Sequence, residues 1–317
     1  MNPFLKQVAD HYFKEGNIQR RCFIFPNRRS MLFFRKYLCE NVADSRENPI
    51  LAPQMLTIND LFSKASGARV ADRVRLLIDL YASYRELNPA AETLDEFIFW
   101  GDMMLGDFND VDKYLVDPVQ LFRNVSDYKE MQDDFSHLTP VQKEAINAFI
   151  KHFKDEAGRL TVHLDTDDPD VKGKFLQIWN IMLPLYEKFN ALLDAKGLAY
   201  EGKVYRHLAY QLKNHPAEDI FAAVFPRVEK FVFVGLNALN EAEKTVLRKL
   251  RDASMAEFCW DWSGDMIRDP QNRSSFFMSD NVKEFPQAFS LDAEGLPLPH
   301  FRVVSIASSV GQAKRLQ

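Results

Sequence analysis

CFIFPNRRSMLFFRKYL, Cys22 to Leu38, joins an apolar run to a basic, aromatic-rich one through Pro26-Asn27. The first part, Arg21 to Phe25, has the unbroken apolar character of a buried strand. The second, Arg29 to Glu40, has a helical period. A strand that ends at a Pro-Asn turn and feeds a helix aims the first helical N–H groups, and the positive dipole end, past the edge of the sheet. Such a place suits an anion, and Arg28, Arg29, Arg35 and Lys36 gather positive charge around it. Solvated charge on an ordinary helix is the plain alternative, and the neighbouring sequence has to decide.

Outward from this stretch the chain alternates between two patterns. Residues 1–64 read as helix, strand, helix and a second short strand entering LTINDLFSK, which is α/β material. Residues 65–204 change to helical periods with almost no strand: RVRLLIDLYASYREL, LDEFIFWGDMML, PVQKEAINAFIKHF and FLQIWNIMLPLYEKFNALLDAKG, the last stopped by Gly197. After Tyr205 the α/β pattern returns, with KFVFVG and AEFCWDW as strands around the helix EAEKTVLRKLRD, and FRVVSIAS as a third strand. The fold class expected is an α/β parallel-sheet domain, residues 1–64 with 205–300, interrupted by an all-helical insertion at 65–204. The strand at 301 and the helix behind it stop at Gln317, so residues 301–317 read as the start of a further α/β unit in a longer protein.

Composition narrows the function classes. With 317 residues, 46% hydrophobic and 27% charged, the chain can bury more than one core. A net charge of -5 excludes binding of nucleic acid by bulk charge and leaves only a local patch. Cys22, Cys39 and Cys259 have no metal-ligand spacing and fit a reducing compartment. No run is long and apolar enough to cross a bilayer, and a cytoplasmic location is expected. Catalytic signatures are missing: Gly173-Lys174 lacks the rest of a phosphate loop, and there is no H-E-x-x-H and no G-x-S-x-G. The carboxylates Asp102, Asp107, Asp110 and Asp112 fail the calcium-loop pattern and are expected on helix caps and exposed faces. Phe258 and Trp260 are expected in the core rather than on a base-stacking platform, and Phe33 and Phe34 as packing residues beneath their helix.

The layout resembles the first motor domain of superfamily I DNA helicases. Pro26-Asn27-Arg28-Arg29-Ser30 stands where those helicases have Thr-Asn-Lys-Ala-Ala, and Thr57-Ile58-Asn59-Asp60-Leu61-Phe62 looks like their Thr-x-His-x-Leu segment. More specifically, PNRRSMLFFRKYL, LLIDLYASYREL, FWGDMMLGDFNDVDKYL, AYEGKVYRHL, FVFVGLNALNEAEKTVLRKL and FCWDW together resemble the AddB-like subunit of bacterial recombination nucleases, an inactivated superfamily I helicase, over nearly the whole chain. The resemblance implies a RecA-like fold and contact of Asn27, Arg28, Arg29, Ser30, Thr57 and Asn59 with single-stranded DNA. It implies an AddA-like helicase-nuclease partner, and in the complete protein a C-terminal PD-(D/E)XK nuclease domain. It assigns no mechanism to Tyr200, Gly202, Tyr205 and Arg206.

The departures from a working helicase fall where ATP chemistry needs particular atoms. The chain opens with the helix Pro3 to Lys14 in place of a strand and phosphate loop. Gly235-Leu236-Asn237 replaces the acidic magnesium ligands, and of Gly-Asp-x-x-Gln only Asp261 persists. The expected protein is therefore a non-catalytic helicase-like scaffold that needs no cofactor and binds DNA in a double-strand-break repair complex. Two rivals stay open: a divergent ATP-dependent helicase or NTPase, and an interaction adaptor that never touches DNA.

Overall fold

A computed structural model describes residues 3–45, 50–89, 91–122, 169–262, 273–291 and 302–306. The expected helix at 140–153, most of the acidic run from 165 and the closing helix at 308–317 lie outside them. The described residues form an α/β fold around a four-stranded, all-parallel sheet in the order β2-β1-β3-β4. Its strands are β1 (Arg21–Phe25), β2 (Gln54–Thr57), β3 (Lys230–Val234) and β4 (Ala256–Cys259). Cys22 to Ile24 and Phe231 to Phe233 share one ladder, although about two hundred residues separate them in the chain.

A parallel sheet needs cover on both faces, and the side chains of β1 and β3 are apolar in both directions. Phe23, Phe25, Val232, Val234 and Cys259 point to one face, where α1 (Phe4–Glu15) and α2 (Arg28–Ser45) close it with Val8, Tyr12, Phe34 and Leu38. Cys22, Ile24, Phe231, Phe233 and Phe258 point to the other. There α3 (Ile58–Ser66), α7 (Glu201–Asn214), α8 (Ala217–Val224) and α9 (Glu241–Asp252) supply Phe62, Leu208, Phe221 and Val246. Both strand cysteines are buried, which pushes each thiol up to about 12 and leaves them as small apolar groups.

Between α3 and α7 run α4 (Arg73–Leu87), α5 (Leu94–Lys113) and α6 (Pro169–Ala195), around an apolar core of their own that includes Leu80, Phe97, Phe108, Leu185 and Phe189. Gly173 and Lys174 lie inside α6, not in a loop. The chain leaves for these helices and returns at one place. Ala71 donates its N–H to the Ala199 carbonyl at 2.9 Å, and Ala199 donates to the Arg69 carbonyl at 2.9 Å.

The motif AYEGKVYRHL builds the joint between these helices and the sheet. Asp112, near the end of α5, is not on an exposed face as expected but fully buried. Its carboxylate accepts from Arg206 Nε at 2.5 Å, from the Tyr186 hydroxyl at 2.6 Å and from the Tyr200 hydroxyl. Arg206 also donates to the Val111 and Val116 carbonyls at 2.8 and 2.6 Å. Burial and the Asp112 carboxylate hold both phenols above their ordinary range, so they stay protonated donors. Gly202 lets α7 reach α5: its N–H donates to Asn109 Oδ1 at 2.6 Å, and a Cβ there would lie 2.6 Å from the Asn109 carbonyl oxygen.

A further expectation needs correction besides that of Asp112. FRVVSIAS forms no strand in its described part, 302–306, where Val303 is 96% exposed. The outer edge of β4 is met instead by the segment around Gln287, which bridges to Phe258, and Ala288 donates to the Phe258 carbonyl at 2.8 Å. Among the described residues no helix is long and apolar enough to cross a membrane.

Gly202→Ala must push α7 off the α5 backbone and is expected to lose about 2 to 3 kcal/mol of stability. Gly106→Ala, exposed in α5 with nothing within 4 Å of its added Cβ, should gain up to about 1 kcal/mol. Urea denaturation of both variants checks the contrast.

Candidate nucleic-acid interface

Because the strands are parallel, every strand end carries the turn after it to the same edge. Register aligns Phe25 with Thr57 and Val234 with Cys259, so the turns at Asn27, Asn59, Gly235 and Asp261 form a row along the carboxyl edge. The strand order reverses between β1 and β3, and a crevice outside the carboxyl ends at such a point is where open α/β sheets place ligands.

On the β1–β2 half, the Asn27 side chain caps α2, its Oδ1 accepting from the Ser30 N–H at 2.9 Å and from the Ser30 hydroxyl at 3.3 Å. That leaves the N–H groups of Arg28 and Arg29 at the helix start without a partner among the described residues. Both arginine side chains are exposed, and neither is in an ion pair among the described residues; Lys36, by contrast, faces Glu40 at 3.7 Å. Phe33 is a correction: Phe34 packs beneath α2 as expected, but Phe33 is 41% exposed, beside Leu32 at 53%. It lies one turn beyond Arg29, on the outer face of α2.

Thr57 ends β2 and caps α3. It is buried, its hydroxyl donates to Asp60 Oδ2 at 2.7 Å, and its oxygen accepts from the Asp60 N–H at 3.2 Å, closing a capping box at the start of α3. Its donor is already used, so Thr57 shapes the edge without offering a group to a ligand. Asn59, two residues on, is exposed; its Oδ1 accepts from the Tyr205 hydroxyl at 2.5 Å, and its amide nitrogen has no partner among the described residues.

Among the described residues the β3–β4 half is closed. Gly235 holds φ at +67°, a left-handed turn that suits glycine, donates to the Cys259 carbonyl at 2.8 Å and lies under the Phe4 ring. Leu236 is buried in the sheet-helix core, and the Asn237 carbonyl accepts from Asn281 Nδ2 at 2.5 Å. Asn240 caps α9 in a box with Glu243, whose carboxyl is raised by burial. Asp261 is exposed beyond β4. Among the described residues no group of three or more His, Cys, Asp or Glu is able to hold a metal ion. Phe258 and Trp260 are core residues as expected, Trp260 donating its indole N–H to the Phe285 carbonyl at 2.8 Å.

The structure thus brings Asn27, Arg28, Arg29, Ser30, Thr57 and Asn59 to one stretch of edge, with the Thr57 hydroxyl turned to Asp60. Reading the sequence misses Phe33 and Tyr205. A helical wheel centred on Phe34 and Leu38 places Phe33 off the buried side, whereas nothing local to Tyr205 points to Asn59. No protein-family model matches the chain, and no curated protein matches it.

Thr57→Ala opens the capping box and is expected to cost about 1 kcal/mol, while Thr57→Ser retains most of it. Chemical denaturation of the two variants measures the difference.

Proposed function

We propose that this chain is a non-catalytic, helicase-like scaffold that binds single-stranded DNA along the β1–β2 half of its sheet edge, within a cytoplasmic double-strand-break repair complex and beside an AddA-like motor-nuclease subunit. One observation carries the reading: the two halves of one carboxyl edge differ in kind. The half at Asn27, Arg28, Arg29 and Asn59 offers donors and positive charge, and the half at Gly235, Leu236 and Asn237 is filled by core packing and internal hydrogen bonds.

Phosphates are the groups that match the open half. Helix N–H groups and arginines fix a nucleic-acid backbone without reading bases. Exposed Phe33, one turn along α2, adds a ring on which a base of an unpaired strand can stack. The parallel sheet with cover on both faces supports a RecA-like identity for residues 1–64 and 205–300. The separate core of α4 to α6 and the paired neck at Arg69–Ala71 and Ala199 support reading residues 65–204 as an inserted helical domain.

A chain of net charge -5 with few contacts is expected to bind weakly, with strong salt dependence and little sequence preference. Replacing Arg28 and Arg29 together by Ala should weaken oligothymidine binding by about 1 to 3 kcal/mol and flatten the salt dependence. The fold should survive, since exposed arginines contribute little to stability. Fluorescence anisotropy at two salt concentrations tests this; equal affinities and slopes would favour an adaptor that does not touch DNA. Calorimetry should find no magnesium-dependent ATP binding, and a micromolar affinity would favour the divergent NTPase.

A further inference from the structure

The motif around Tyr205 does more than join helices. Tyr205 is buried, its ring stacks on Phe62 at 3.9 Å with 10° between the planes, and the Lys113 ammonium sits 5.2 Å from its centroid. The ring therefore has one position, and its hydroxyl reaches from α7 to Asn59 Oδ1 at 2.5 Å in the first turn of α3. Burial holds the phenol above its ordinary range, with the Glu243 and Glu201 carboxylates adding to the effect. It remains a donor through neutral pH.

An exposed asparagine in a first helical turn ordinarily turns its amide either way, offering donor or acceptor. Here the carbonyl oxygen is bonded from within by the Tyr205 hydroxyl, which leaves the NH2 group to face the edge. A phosphate accepts and does not donate, so this polarity decides whether Asn59 attracts or repels a nucleic-acid backbone. We propose that Tyr205 is a positioning residue: by holding the Asn59 carbonyl inward, it turns the amide of Asn59 into a fixed donor on the track that begins at Arg28. The inference rests on the nucleic-acid reading above.

The test uses the chain with a fluorescein-labelled oligothymidine and four variants. Tyr205→Phe keeps the stacked ring and removes only the hydroxyl; it should weaken binding roughly 3- to 10-fold, the span of one lost hydrogen bond. Asn59→Ala should match it, and the double variant should be no weaker than Asn59→Ala alone, because the hydroxyl acts only through the amide. Asn59→Asp, which keeps an acceptor for Tyr205 but turns a carboxylate outward, should bind less than Asn59→Ala and leaves the Tyr205 core untouched if Tyr205→Phe fails to fold. A readout without DNA is the Asn59 side-chain amide pair in a nitrogen–proton correlation spectrum, assigned by its loss in Asn59→Ala. Tyr205→Phe should move that pair to the positions of a freely turning asparagine.

An unmoved amide pair, additive losses in the double variant, or wild-type affinity of Tyr205→Phe or Asn59→Asp would each overturn the positioning role. If those losses are absent while Arg28→Ala with Arg29→Ala still weakens binding, this inference alone fails. If the unsubstituted chain binds no oligothymidine at all, the nucleic-acid reading fails and takes this role with it.

Discussion

A buried carboxylate sets the terms for everything around it. Asp112 is sealed from water, and bringing a charge out of water costs several kcal/mol unless its oxygens are fully paired. Tyr186 from α6, with Tyr200 and Arg206 from the start and body of α7, meets that demand, and Arg206 Nη2 also donates to the Val111 and Val116 carbonyls. Glu201, which opens α7, pairs with Lys113 of α5 at 2.6 Å and ties the same two helices once more. No sliding of α5 along α7 preserves the set, so the crossing is fixed to within a hydrogen bond. Tyr205, next to Arg206 on α7, carries that fixed geometry across to Asn59 at the start of α3. The order of the edge therefore begins in a charge pair that lies away from it.

The sheet explains why the candidate interface has two unlike halves. Parallel strands deliver all their turns to one side, so any ligand site and any packing that closes it compete for the same row of residues. On the β1–β2 side the helices start at the edge with their own caps, Asn27 and Thr57, and the arginines after the first cap project outward. On the β3–β4 side Leu236 turns inward to the core, and Phe4, Asn281 and the segment around Gln287 close over the strand ends. Among the described residues, apolar burial and internal hydrogen bonds occupy that side.

How much of the fold and of the edge is legible in the sequence depends on the range of the forces involved. β1 and β3 are legible because strands buried on both faces are apolar at consecutive positions, and RCFIF and KFVFV are such runs. The Asn27 turn and its arginines are equally local. FRVVSIAS has the same strand-like character, yet 302–306 is not in the sheet, since strand propensity is satisfied only where a neighbouring strand or core receives it. Thr57 is open to a fuller reading, for Thr-x-x-Asp is the pattern of a capping box. The burial of Asp112 and the Tyr205–Asn59 bond depend on groups 94 and 146 residues apart, beyond any periodicity.

The neck at Arg69–Ala71 and Ala199 has a consequence for how this chain tolerates change. Its two hydrogen bonds hold the ends of the 72–198 excursion together, so the sheet side meets a closed loop of fixed mouth. Closure entropy rises only with the logarithm of loop length, about 0.6 kcal/mol for each doubling. Insertions and deletions between the helices of the excursion are therefore cheap as far as the sheet is concerned, provided the mouth and the α5–α7 crossing are kept. Length variation in related chains should collect inside the excursion, while the spacing from Ala199 to Arg206 stays constant.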